Sequence, residues 1–228
     1  MDTITQFDGN LLIGIQQALN ADWLTPVMKF ITAFGEHGIF WILVCLSLLA
    51  FKRTRRIGII CSLSLFFTFI CCNGIIKPLV NRTRPFEMFP AVKAFLPHPG
   101  DASFPSGHTA NAMGPAWGMF LASLPARIRI DGADGSVRYE KDYDMVPCLG
   151  WRGDGVPART MHRWSVAAIV LTLLIGLSRL YLGMHYPGDV LAALFVGMIC
   201  ATIVVMLVER YEEKHGIIGK PLNDALKE

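Results

Sequence analysis

Four stretches of this chain are long and apolar enough to cross a lipid bilayer, and that feature removes most folds from consideration. They are residues 57–76, 104–124, 164–183 and 187–208. A spanning helix needs about 20 mostly apolar residues, because the hydrocarbon core is about 30 Å thick and each helical residue rises about 1.5 Å. A fifth stretch, residues 38–51, is short in its strictly apolar part and is expected to begin several residues earlier, near Phe34. Residues 8–33 carry apolar side chains at mixed spacing, interrupted by Asp22, Pro26 and Lys29. They predict one or two short helices in the membrane interface with Trp23 as an anchor, a sixth span being the alternative. Composition agrees: 53% of residues are hydrophobic and only 17% charged, where a soluble domain carries about a quarter charged residues. The expected fold is all-α, a polytopic membrane helical bundle of about five spans, with residues 1–228 forming a single domain.

Basic residues set the orientation. Lys52-Arg53-Thr54-Arg55-Arg56 carries four positive charges and no acid, whereas the chain before it holds one lysine against four acids. The positive-inside rule places this segment in the cytoplasm and the N-terminus outside. Counting onward, residues 77–103 and the turn around His185 are external, and residues 125–163 and the C-terminal tail are cytoplasmic. Within the polar insert 125–163, alternation at 127–130 and 136–139 around Asp131-Gly132-Ala133-Asp134-Gly135 predicts a small β-hairpin. Its aspartates do not match a calcium loop and read as a solvated turn. The N-terminus lacks a basic region followed by an apolar one, so no cleavable signal peptide is expected and the first span directs insertion.

Cys45, Cys61, Cys71, Cys72 and Cys200 lie in apolar runs and Cys148 in the polar loop; none has zinc or disulfide spacing. Ala110, Gly114, Gly118 and Ala122 recur every four residues, as do Ala193, Gly197 and Ala201. Small residues at this spacing are expected to bring the third and fifth spans close together.

The external loop is basic against the positive-inside rule, which calls for a reason. Lys77, Arg84 and Pro85 follow the second span; by themselves they are equally well snorkelling anchors at a helix end. Pro105-Ser106-Gly107-His108 opens the third span, with Pro105 suited to a first helical turn and Gly107 to close backbone approach. The first amides of such a helix lack internal partners and form an anion site, although an ordinary helix start is the blander alternative. Ser178 and Arg179 end the fourth span, His185 sits in the connection, and Asp189 lies in the first turn of the fifth. Arginine at the end of an apolar helix is costly unless it faces a polar partner. A carboxylate near a histidine either clips two helices together or leaves the second ring nitrogen free as a nucleophile. All three clusters fall on one face, where Lys77, Arg84 and Arg179 match the charge of a phosphoryl group. Arg82 is suited to a second phosphate or to lipid headgroups. His37, His98, His162 and His215 lie outside the clusters; His37 and His98 fall on the active-site side and read as solvated or interfacial, lining the entrance being the alternative.

These segments, Lys77-x6-Arg84-Pro85, Pro105-Ser106-Gly107-His108 and Ser178-Arg179-x5-His185-x3-Asp189, resemble the three signature motifs of the type 2 phosphatidic acid phosphatase superfamily. The resemblance covers residues 77–189 as motifs, complete and in order. It implies that His185 attacks phosphorus, Asp189 orients it, and His108 protonates the leaving oxygen and later activates water. Lys77, Arg84, Ser106, Gly107 and Arg179 would bind the phosphate, with no metal or other cofactor. The implied substrates are membrane lipids: undecaprenyl diphosphate, phosphatidic acid, phosphatidylglycerol phosphate or a lipid A phosphate. The implied location is a bacterial inner membrane, with the active site on the periplasmic or outer side. No nucleic-acid partner is expected.

Two departures from the common bacterial pattern are expected: no span before the segment that is N-terminal here, and a long 125–163 loop. A phosphotransferase using the same phosphohistidine is the nearest alternative, and a non-catalytic lipid-binding protein a more distant one. A soluble vanadate-dependent peroxidase shares this kind of phosphate site but not the five apolar spans.

Overall fold

The computed structural model describes residues 3–19, 21–124, 126–131, 137–142, 145–146 and 156–215. The chain begins with α1 (Thr3–Ala18), α2 (Leu24–Ala33), a 3-10 turn (Glu36–Gly38), α3 (Ile39–Ala50) and α4 (Arg55–Phe69). Helix α4 runs into a π-helical turn (Ile70–Ile76) and then α5 (Lys77–Val80); α6 (Pro85–Met88) follows, then a loop and α7 (Gly107–Ala122). Strand β1 (Ala126–Asp131) pairs antiparallel with β2 (Val137–Asp142), and β3 (Met145–Val146) with β4 (Val156–Pro157). Two long helices complete the chain, α8 (Ala158–Tyr181) and α9 (Pro187–Lys214). The expected hairpin is therefore present, with Asp131 opposite Val137; most of its turn, and Cys148, lie outside the described residues.

Among the described residues, three stretches are long and apolar enough to cross a membrane: Arg55–Met88, Ala158–Tyr181 and Pro187–Glu212. The other two expected spans are shorter. Helix α3 has 12 residues, about 18 Å of rise. Its expected start near Phe34 is interrupted at Gly38, whose φ of 69° is left-handed and ends the 3-10 turn. Helix α7 has 16 residues and starts at Gly107 rather than at 104, because Ser106 is extended. Pro105 thus precedes the helix instead of occupying its first turn. Helix α7 is encased by α4, α8 and α9, with most of its residues buried. A helix screened from lipid by its neighbours does not have to match the bilayer thickness.

Close packing in the bundle rests on small residues: the expected approach of the third and fifth spans is found, with Ala110 of α7 buried against Ala193 of α9, and α7 also uses its glycines on a second neighbour, α4. A Cβ at Gly114 would sit 2.5 Å from Thr68 Oγ1, and one at Gly118 would sit 2.8 Å from Ser64 Oγ. The glycines of α7 therefore admit α4. A Cβ at Gly197 would sit 2.7 Å from Met113 Cβ and 3.0 Å from the Gly114 amide nitrogen, so α9 makes room for α7 with its own glycine. Both contacts follow the rule that small residues let backbones approach where lipid supplies no hydrophobic drive.

Helices α1 and α2 turn Ile4, Phe7, Leu11 and Phe30 outward, and Trp23 in the turn between them is exposed too, as interfacial helices do. At 16 and 10 residues neither has the length of a sixth span. Their inner faces cap one end of the bundle. Leu12 packs with Phe89, Val92, Leu180, Tyr186 and Val190, and Met28 with Tyr181, Leu182 and Met184. At the opposite end Arg56 donates twice to Glu212, at 2.7 and 2.8 Å, both side chains buried, and clasps α4 to α9.

Candidate active site

The capped end gathers the charged residues. Helix α8 stops at Tyr181, and Gly183 at φ 72° turns the chain so that α9 begins at Pro187. His185 therefore lies in the connection and Asp189 in the first turn of α9, both almost fully buried. A buried carboxylate is tolerable only when its oxygens are satisfied, and those of Asp189 are. Oδ1 accepts from Arg82 Nη1 at 2.6 Å. Oδ2 accepts from the Ser103 hydroxyl and, at 3.0 Å, from the Tyr186 amide. The Nδ1 of His185 lies 3.4 Å from the same Oδ2, longer than a formed hydrogen bond because two other donors already claim that oxygen. Burial holds the His185 imidazole well below its ordinary range, at about 4; Asp189 opposes this, and Arg179 and Arg84 reinforce it. The ring is consequently neutral at physiological pH, as a nucleophile must be.

Three buried cations surround this pair. Arg84 donates from Nη1 to the Met184 carbonyl at 2.8 Å, from Nε to the Asp101 carbonyl at 3.0 Å, and from Nη2 to Asp101 Oδ1 at 2.6 Å. Lys77, at the start of α5, pairs with the other oxygen of Asp101. Arg179, in the last turn of α8, donates to Thr32 Oγ1 at 3.0 Å. Its Nε has no hydrogen-bond partner among the described residues. Asp101 is held down at about 2: partial burial would raise it, but hydrogen bonds and charge from Lys77 and Arg84 outweigh that. An acidic side chain thus already bridges two of the cations expected to grip a phosphate.

The start of α7 supplies the remaining wall. Ser106 is its N-cap, and its amide donates to the Asp189 carbonyl at 3.1 Å, so that this donor serves the fold in place of an oxyanion cradle. Gly107 opens the helix; a Cβ there would lie 2.8 Å from Asn73 Oδ1. His108 is in the first turn, within electrostatic reach of Arg179, His185, Lys77 and Arg84. Gly35 packs directly against it, a Cβ there falling 3.0 Å from His108 Cβ.

Buried cations grouped around a histidine–carboxylate pair and a second histidine form an anion site with acid–base groups. Residues 57–213 match the PAP2 superfamily. This chain belongs to that superfamily. It is 28% identical over 174 residues to an undecaprenyl-diphosphatase of Sulfolobus acidocaldarius, covering 76% of this chain and 66% of that protein. It is 26% identical to a decaprenylphosphoryl-5-phosphoribose phosphatase of Mycobacterium tuberculosis, covering 85% of this chain and 86% of the relative. The crystal structure of a transmembrane PAP2-type phosphatidylglycerolphosphate phosphatase from Bacillus subtilis superposes with a TM-score of 0.62 at 20% identity, covering 94% of this chain and 88% of that one. The fold is thus that of the PAP2 membrane phosphatases, and the chain is an integral membrane enzyme of this hydrolase class.

The eight residues singled out from the PAP2 motifs, Lys77, Arg84, Ser106, Gly107, His108, Arg179, His185 and Asp189, all come to this one end of the bundle. Of the remaining histidines, His98 stacks on Phe86 and His162 packs beside Phe120. Arg82, suited on sequence to a second phosphate or to lipid headgroups, instead pairs with Asp189 and with Asp8 of α1. Sequence reasoning misses Asp101, Ser103, Asp8, Thr32 and Gly35. Only the crowding of Asp101 and Ser103 beside the Pro105-Ser106-Gly107-His108 motif hints at the first two; nothing local marks the others.

Proposed function

We propose that this protein is a lipid phosphatase that works through a phosphohistidine at His185, with polyprenyl phosphates or diphosphates as its substrate class. The observation that carries this reading is the buried His185 beside Asp189, with Arg84 and Arg179 close enough to act on it and Lys77 joined to Arg84 through Asp101. With Nδ1 facing Asp189, Nε2 is the nitrogen that attacks. A P–N bond forms, the P–O bond to the lipid or lipid phosphate breaks, and His108 gives its proton to the departing oxygen. Water then attacks phosphorus, His108 takes the proton, the P–N bond breaks and inorganic phosphate leaves. The three cations hold the charge that builds on the equatorial oxygens; no step calls for a metal. The names of the archaeal and mycobacterial relatives, one a polyprenyl diphosphatase and the other a decaprenylphosphoryl sugar phosphatase, favour a polyprenyl chain.

The whole chain reads as one domain with residues 125–163 as a polar insert. The four charges of Lys52–Arg56 support a cytoplasmic position for that end and an outward-facing site in a bacterial inner membrane. An open groove of about 480 Å³ at the site end, lined by apolar Ile4, Val80 and Met88 and by polar Asn81, Arg82 and Thr83, is suited to the part of a substrate where lipid meets headgroup.

Phosphate release from undecaprenyl diphosphate, phosphatidic acid, phosphatidylglycerol phosphate and lipid A, by protein in detergent with added chelator, tests the reading. Release by the wild type that vanishes in His185→Ala, with an acid-labile, base-stable phosphoenzyme on quenching, is the expected result. Activity surviving in His185→Ala, or lost on chelation, overturns it.

A further inference from the structure

The PAP2 match begins at residue 57, yet a residue near the N-terminus reaches the nucleophile pair. Asp8 lies on the buried face of α1. Its Oδ1 accepts from the Gly188 amide at 2.9 Å, at the start of α9. Its Oδ2 lies 2.8 Å from Arg82 Nη1, and the same Nη1 donates to Asp189 Oδ1 at 2.6 Å. The guanidinium carbon of Arg82 sits 3.9 Å from the centroid of the Tyr186 ring, which supports its flat face. Ser103, whose hydroxyl reaches Asp189, is docked through its amide to the Arg82 carbonyl at 2.7 Å. Asp8, Arg82, Asp189 and His185 therefore form one line of alternating charge potential, anchored at both ends of the chain's fold.

Such an arrangement has a chemical use. A carboxylate that orients an imidazole has to present one oxygen in a fixed plane, and Arg82 fixes that plane by holding the other oxygen. An arginine acting alone would also drain charge from Asp189 and weaken its pull on the ring. Asp8 offsets that charge while tethering the first turn of α9. We propose that Arg82 and Asp8 are positioning residues for phosphoryl transfer, Arg82 acting on His185 through Asp189 and Asp8 acting through Arg82. This rests on the reading of His185 as the nucleophile.

The charged groups facing His185 are Asp189 from α9, Arg179 from α8, His108 from α7 and Arg84 from the segment before α6, with Arg82 and Asp8 one and two links behind. Removing the Arg82 charge should raise the imidazole pKa, and removing the Asp8 charge should lower it. Arg82→Gln, Arg82→Lys and Asp8→Asn would be compared with the wild type, in detergent, by two readouts. The first is the titration of His185 in 15N-histidine-labelled protein, its signal assigned by loss in His185→Asn. The second is kcat and KM for phosphate release from undecaprenyl diphosphate.

Expected are opposite shifts of the His185 titration in Arg82→Gln and Asp8→Asn, of about half a pH unit or more. Both variants should lose about tenfold or more in kcat, with KM within about threefold, and Arg82→Lys should recover most of the loss. An unchanged titration in both variants, or a loss carried by KM alone, overturns the proposal. Opposite titration shifts in a protein whose wild type releases no phosphate would uphold the positioning network and sink the phosphatase reading instead.

Discussion

Arg84 donates a 2.8 Å hydrogen bond from Nη1 to the carbonyl oxygen of Met184, so a cation of the proposed phosphate cradle also holds the backbone immediately before His185. Charge and placement are therefore joined in one side chain. Arg84→Ala should lower kcat/KM on the order of 10²–10³-fold, the scale of removing one preorganised donor. Arg84→Lys keeps the charge but cannot reproduce the planar fork, and should recover only a small part of that loss. Steady-state phosphate release measures both. A lysine variant equal to the wild type would mean that Arg84 contributes charge alone.

The burial of His185 makes a claim about pH. Because burial, aided by Arg179 and Arg84, holds its imidazole at about 4, the ring stays neutral down to that value. The acid limb of kcat/KM, which reports the free enzyme, should then fall near pH 4, well below the ordinary histidine value of about 6.5. A profile between pH 3 and 7 decides this. A limb near 6.5 would belong to a solvated imidazole, contrary to the packing around Leu182, Met184 and Tyr186.

Asp101 competes for the cradle. Its carboxylate bridges Lys77 and Arg84 and is ionised at neutral pH. An entering phosphate meets this anion and has to displace it or share its partners. Asp101→Asn should tighten competitive inhibition by inorganic phosphate by about fivefold, the scale of an exposed ion pair of about 1 kcal/mol. Weaker inhibition would show that Asp101 orders the two cations more than it blocks them. Because its folded value is depressed, its contribution to stability is present above the unfolded value of about 3.9 and is lost as pH falls toward about 2. The variant should lack that acid-dependent loss of Tm.

Gly183 is a backbone requirement. At φ 72°, a Cβ there would lie 2.3 Å from the Lys93 carbonyl oxygen. Left-handed geometry alone costs an ordinary residue about 1–2 kcal/mol, and a clash with backbone adds to it. Gly183→Ala should lower Tm by several degrees. Gly14→Ala is the control: it sits in α1 with nothing within 4 Å of its Cβ, and should be neutral or stabilising by about 0.5–1 kcal/mol. A tolerated Gly183→Ala would mean that the turn into α9 has slack.

The gathering of charged residues at one end of the bundle is legible in the sequence because lipid makes charge expensive. Arg179 at the end of an apolar helix and basic residues in a loop where the positive-inside rule expects few stand out against a hydrocarbon background, and need a partner to be retained. Spans over 164–183 and 187–208 are legible for the same reason. Asp8 and Asp101 are not, since an acid in an interfacial helix or a loop is solvated by default, and only the folded chain brings it to a buried arginine. The pairing of helices is legible in part: the small-residue repeats point to the approach of α7 and α9, which is found, but not to that of α4. The four-residue spacing of Gly114 and Gly118 marks a close approach without saying that Thr68 and Ser64 of α4 are what approaches. The short α3 has a plainer cause: hydropathy sums over residues 34–51 and is blind to one glycine at positive φ.

The π-helical turn at Ile70–Ile76 acts as a phase shifter. Its last amide step, from Lys77 N–H to the Cys72 carbonyl, spans five residues where an α-helix spans four. One extra residue turns everything beyond it by about 100° around the axis, and what lies immediately beyond it is Lys77, buried against Asp101. Deleting a single residue from this turn would leave the hydrophobic length of α4 nearly unchanged while swinging that ammonium round to a different side of the helix. The membrane would accept such a protein; the phosphate site would lose a cation.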